Sequence, residues 1–120
     1  VEDEPALREL VVNVLELLGY RILQASDGVE ALKVWEKQKS EIDLLFTDMV
    51  MPEGISGRQL AERLLSDNPE LKVSFTSGYS PGMAGKDIVL LQGSSFLAKP
   101  YPPLRLSQFV RQCLDRYDEK

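Results

Sequence analysis

Ile42-Asp43-Leu44-Leu45-Phe46-Thr47-Asp48-Met49-Val50-Met51-Pro52 decides the fold. Residues 42–47 are a short, nearly continuous apolar run, the pattern of a strand buried on both faces. Asp48 follows at once, and Met51-Pro52-Glu53-Gly54 must be loop. A lone aspartate at a strand end is usually a turn residue or a helix-start acceptor. Whether Asp48 is more than that depends on what other strands bring beside it.

Toward the N-terminus, Leu7, Leu10, Val11, Val14 and Leu18 recur at helical spacing, with Pro5 suited to the first turn and Gly19 to the end. Residues 20–25 read as a short strand. Ser26-Asp27-Gly28 then opens a helix through Leu32 and Trp35. Toward the C-terminus, Leu60, Ala61, Leu64 and Leu65 mark a helix ending near Asn68-Pro69, and residues 71–76 form another strand. Pro81, Gly82 and Gly85 weaken a helix over residues 83–91, residues 95–98 make the last strand, and Leu106, Phe109, Val110, Cys113, Leu114 and Tyr117 define a terminal helix. Strands alternating with helices require right-handed crossovers, so the predicted class is α/β, a parallel sheet covered on both faces.

Composition bounds the function. At 120 residues the chain suits one domain, spanning 1–120, and its 43% hydrophobic content is ordinary for a globular protein. No apolar stretch is long enough to cross a bilayer and the acidic start, Glu2-Asp3-Glu4, is no secretory leader, so a cytoplasmic setting without membrane contact is expected. A net charge of -5 without a basic patch disfavours nucleic acid. Cys113 is the only cysteine and histidine is absent, which excludes disulfides, thiolate zinc sites and histidine-based catalysis within these residues. Gly82, Gly85 and Lys86 do not form a phosphate-binding loop, since Ser80 stands where the first glycine is required.

Ligands of an open parallel sheet bind beyond the carboxyl ends of its strands. Glu2 and Asp3 would follow the first strand, Asp48 the third, Thr76 and Ser77 the fourth and Lys99 the fifth. Carboxylates converging there repel one another unless a divalent cation joins them, and oxygen donors select Mg²⁺. Lys99 would add a point charge and Thr76 a hydroxyl for a phosphoryl group. Asp48 stands alone after its strand and is the better acceptor; Glu2 and Asp3 are the better metal holders.

These residues resemble the receiver domains of two-component response regulators along essentially the whole chain. Glu2-Asp3 matches the acidic pair, Asp48-Met49-Val50-Met51-Pro52 the phosphoacceptor run, Thr76 the hydroxyl position, Phe96 the switch aromatic and Lys99-Pro100 the lysine with its proline. The resemblance implies a flavodoxin-like, doubly wound five-stranded sheet of order 2-1-3-4-5. It also implies that the Val50 carbonyl completes the Mg²⁺ shell, and that the donor is a histidine kinase or histidine phosphotransfer domain. Phe75-Thr76-Ser77-Gly78-Tyr79-Ser80 and the loop through Gly57 look most like receivers of hybrid sensor histidine kinases. By the same resemblance, the side chains two positions after the acceptor and the threonine influence dephosphorylation; here they are Val50 and Gly78, neither of which can orient a water, so slow self-dephosphorylation is expected. Val1 alone precedes the acidic pair, so the first strand is expected to be short.

Two alternatives compete with phosphate acceptance by Asp48. One is a non-phosphorylated pseudo-receiver serving as an interaction module; a homodimer is compatible with either reading. The other, an aspartyl phosphatase, is disfavoured because Val50 stands where such enzymes carry a second acid.

Overall fold

A computed structural model of the chain describes residues 1–49, 54–77 and 94–115. The helix expected over residues 83–91 lies outside them, as does Val50. The elements run α1 (Pro5–Leu17), α2 (Gly28–Gln38), a 3₁₀ turn (Lys39–Glu41), β1 (Leu44–Asp48), α3 (Gly57–Asp67), β2 (Lys72–Ser77), β3 (Ser94–Ala98) and α4 (Pro103–Asp115).

Local chemistry sets the helix ends. Pro5 occupies the first turn of α1, and Gly19, just beyond its end, takes φ +95, a backbone region that costs glycine little. Asp27 caps α2 by accepting from the Glu30 N–H. Ser56 and Gln59 form a reciprocal capping box at the start of α3. That helix stops at Asn68, whose extended backbone suits the following Pro69.

β1, β2 and β3 form a parallel sheet in that order, with Asp48 opposite Thr76 and Thr76 opposite Leu97. On one face, Trp35, Leu60, Leu64, Val73 and Phe75 pack α2 and α3 against the strands. On the other, Val11, Leu15, Leu106, Phe109 and Cys113 pack α1 and α4. Trp35 is buried and its Nε1–H donates to Asp67 Oδ2 at 2.9 Å, tying α2 to the end of α3.

Residues 20–25 differ from the expected strand: they carry no ladder. Their apolar character suits a strand, but strand structure needs a partner, and among the described residues only Val1 and Glu2 lie alongside. Glu2 N–H donates to Ala25 C=O at 3.1 Å, Val1 N to Phe46 C=O at 2.6 Å, and Asp48 N–H to Val1 C=O at 3.0 Å. Those two residues thus sit between segment 20–25 and β1, where the order 2-1-3 puts a first strand. Beside them is a cavity of about 270 Å³, lined by side chains that include Leu15, Ile22, Ala25 and Leu45.

Candidate functional site

Asp48 is the last residue of β1, so its backbone is held by the sheet while its carboxylate stands at the sheet's carboxyl edge. Met49 N–H donates to Thr76 C=O at 2.8 Å, extending the pairing past the strand end. Gly57, the first residue of α3, donates to Met49 C=O at 2.9 Å. A Cβ at Gly57 would lie 2.0 Å from the Asp48 carbonyl oxygen, so no other residue fits there without moving backbone.

Glu2, Asp3 and Asp48 each present a carboxylate oxygen within 4.8 Å of the others; Glu2 and Asp48 are buried and Asp3 is exposed. Lys99 Nζ lies 2.9 Å from both Asp48 Oδ2 and Glu2 Oε1. The contact to Asp48 is a directed hydrogen bond, whereas Glu2 Oε1 is held by charge without hydrogen-bond geometry. Burial acts to lower the Lys99 pKa, but the hydrogen bond to Asp48 and the nearby negative charges of Asp48 and Glu2 outweigh it and hold the ammonium above its ordinary value. Thr76 is 1% exposed, and its hydroxyl has no hydrogen-bond partner among the described residues. Phe96, on β3 opposite Phe75, is half-buried against the α2–α3 core.

The fold therefore brings Glu2, Asp3, Asp48, Thr76 and Lys99 to one edge, as their places at the strand ends predict. Among the described residues three carboxylates face one lysine there, Lys99, and the excess of negative charge on hard oxygen donors suits a small divalent cation. Two residues beside the site escaped the sequence reading. Arg8 donates from Nη1 to the Glu2 carbonyl at 2.8 Å, and its only signal was a basic side chain on the first helix after an acidic pair. Tyr101 is buried just after the cis Lys99–Pro100 bond, with its ring edge-on to Phe46 at 6.3 Å. Its signal was an aromatic adjoining the lysine.

Comparison with known proteins agrees with this geometry. Residues 1–111 match the model of the response regulator receiver domain. The chain is 35% identical over 118 residues to the sensor kinase CckA of Brucella abortus, covering 98% of this chain but only 12% of that protein. It is 32% identical over 100 residues to the response regulator receiver protein CpdR of the same organism, covering 83% of this chain and 81% of CpdR. Among solved structures, a response regulator receiver domain protein from Clostridium thermocellum superposes with a TM-score of 0.83 at 25% identity, covering 97% of this chain and 91% of that one. The fold is the flavodoxin-like α/β fold of these neighbours, and the chain belongs to the response regulator receiver domain family.

Proposed function

We propose that residues 1–120 act as a phosphate-accepting receiver, in which Asp48 takes a phosphoryl group from a phosphohistidine on a histidine kinase or histidine phosphotransfer domain. The observation that carries this reading is Lys99 Nζ placed 2.9 Å from Asp48 Oδ2 within a cluster of three carboxylates. With no histidine among the 120 residues, the donor lies outside them.

In the transfer, an Asp48 carboxylate oxygen forms a bond to phosphorus while the P–N bond to the donor imidazole breaks, its electron pair leaving with the ring nitrogen. The product is an acyl phosphate on Asp48. Glu2, Asp3 and Asp48, with the Val50 carbonyl, would hold Mg²⁺, which would supply positive charge against the phosphoryl oxygens. Lys99 offsets the charge gathering on the same group, and the Thr76 hydroxyl donates to a phosphoryl oxygen. Drawing Thr76 and Lys99 toward the new dianion changes the packing of Phe96 and so the surface that a partner reads. The likeness to the sensor kinase CckA supports a hybrid sensor histidine kinase as the parent; a cytoplasmic place for this unit is part of the same proposal. No described helix is long and apolar enough to cross a membrane.

Incubation with Mg²⁺ and phosphoramidate, a small donor with a P–N bond, tests the reading. Intact-mass measurement should show one added phosphate on the native chain and none on Asp48→Ala. Equal labelling of both, or none on either, would leave the interaction-module reading in its place.

A further inference from the structure

Thr47, the residue before the proposed acceptor, is 0% exposed and carries a hydroxyl into the interior. Side chains alternate along a strand, so Thr47 shares its face with Leu45 and Met49, both members of the core between the sheet and α2 and α3. Valine has nearly the same shape, and a hydroxyl in such a place costs stability unless it is hydrogen-bonded. This one is bonded. Thr47 Oγ1 donates to the Asp48 carbonyl oxygen at 3.0 Å.

That carbonyl belongs to the peptide joining Asp48 to Met49. The N–H of the same peptide, on Met49, donates to Thr76 C=O at 2.8 Å, and α3 approaches its oxygen so closely at Gly57 that a Cβ there would lie 2.0 Å away. The peptide is gripped at both ends. Because a peptide plane turns as one rigid unit, loosening the grip on its oxygen lets the whole plane tilt, and the tilt displaces the Asp48 Cα that carries the carboxylate. The carboxylate has little slack, with Oδ2 only 2.9 Å from Lys99 Nζ. Small misplacements of a reacting group slow a reaction steeply, by up to about a hundredfold for 1 Å.

We infer that Thr47 is a positioning residue for phosphate acceptance: its buried hydroxyl fixes the Asp48–Met49 peptide and, through it, the place of the Asp48 carboxylate against Lys99. This inference rests on the reading of Asp48 as acceptor. Being fully buried, Thr47 meets neither the phosphodonor nor solvent, and its hydroxyl acts only through its neighbour.

The test compares the native chain with Thr47→Val and Thr47→Ser, each given phosphoramidate and Mg²⁺, with melting temperatures measured alongside. Thr47→Val keeps the shape of the side chain and removes the hydroxyl, so phosphorylation should slow by about three- to tenfold, the worth of one hydrogen bond. Thr47→Ser keeps the hydroxyl and loses a buried methyl group, so it should melt below the native chain and still accept phosphate within about twofold of the native rate. Rate and stability therefore part company in the serine variant, which a purely structural role for Thr47 does not predict. An unchanged rate in Thr47→Val, or a slowing of more than about threefold in Thr47→Ser, overturns the inference while leaving Asp48 as acceptor. A native chain that takes up no phosphate overturns the reading of Asp48 and this inference with it.

Discussion

The two flanks of Asp48 are built differently. On the Thr76 side, β1, β2 and β3 pair in continuous parallel register, and Lys99 follows directly from β3. On the Glu2 side, Val1 and Glu2 are held by a few backbone hydrogen bonds between β1 and segment 20–25, with a cavity of about 270 Å³ beside them. Thr76 and Lys99, which would meet the phosphoryl oxygens, thus stand on or directly after a strand, whereas Glu2 and Asp3, two of the three carboxylates that would meet the metal, stand on a short tether. Precision of position is expected of the first flank and susceptibility of the second, because backbone locked in a ladder opens at higher cost than backbone held by isolated bonds.

Removing the charge on the ladder flank should have the largest effect on stability. Lys99→Met leaves Glu2 and Asp48 buried without a cation, and should lower the unfolding free energy by about 3 kcal/mol in the absence of divalent ions. Mg²⁺ should restore much of that loss in urea unfolding, and should bind the variant more tightly than the native chain, since Lys99 competes for the same oxygens. A variant as stable as the native chain without Mg²⁺ would break the contrast.

Alkaline pH probes the same flank more gently. Lys99 and Tyr101 both have pKa values raised in the folded protein, so each holds its proton more tightly folded than unfolded. Each contribution is complete below the group's unfolded value and is lost as pH climbs above it, for Tyr101 between about 10 and about 12. Denaturation midpoints measured from pH 9 upward should fall over about that interval, and Tyr101→Phe should flatten part of the fall.

The smallest effect is expected on the tethered flank. Arg8→Gln removes the guanidinium bond to the Glu2 carbonyl and should weaken Mg²⁺ binding about three- to fivefold by calorimetry, roughly 1 kcal/mol. It should leave the alkaline profile unchanged. A shifted profile would mean that the flanks are coupled after all.

What could be read from the sequence follows the same division. The run ending in Asp48, the helix after Ser56 and the positions of Thr76 and Lys99 were legible because apolar periodicity places strand ends, and strand ends place polar side chains. The Ser56–Gln59 capping box was equally visible in its spacing but went unread. Residues 20–25 have the composition of a strand, yet ladder formation depends on a neighbour that composition does not report. Arg8 and Tyr101 were hidden for another reason. One acts on the Glu2 backbone carbonyl and the other packs its ring edge-on to Phe46 of β1, and neither contact leaves a residue pattern along the chain.

Gly57 carries a consequence for how such a domain can move. The backbone at residues 48 and 49 is bonded to Val1, to Thr76 and to the first turn of α3, and at Gly57 the helix touches the Asp48 carbonyl with no room for a methyl group. The main chain of the proposed acceptor is therefore an anvil: a blow delivered to its carboxylate cannot be absorbed by β1 or α3 and has to travel outward through the side chains that lean on it.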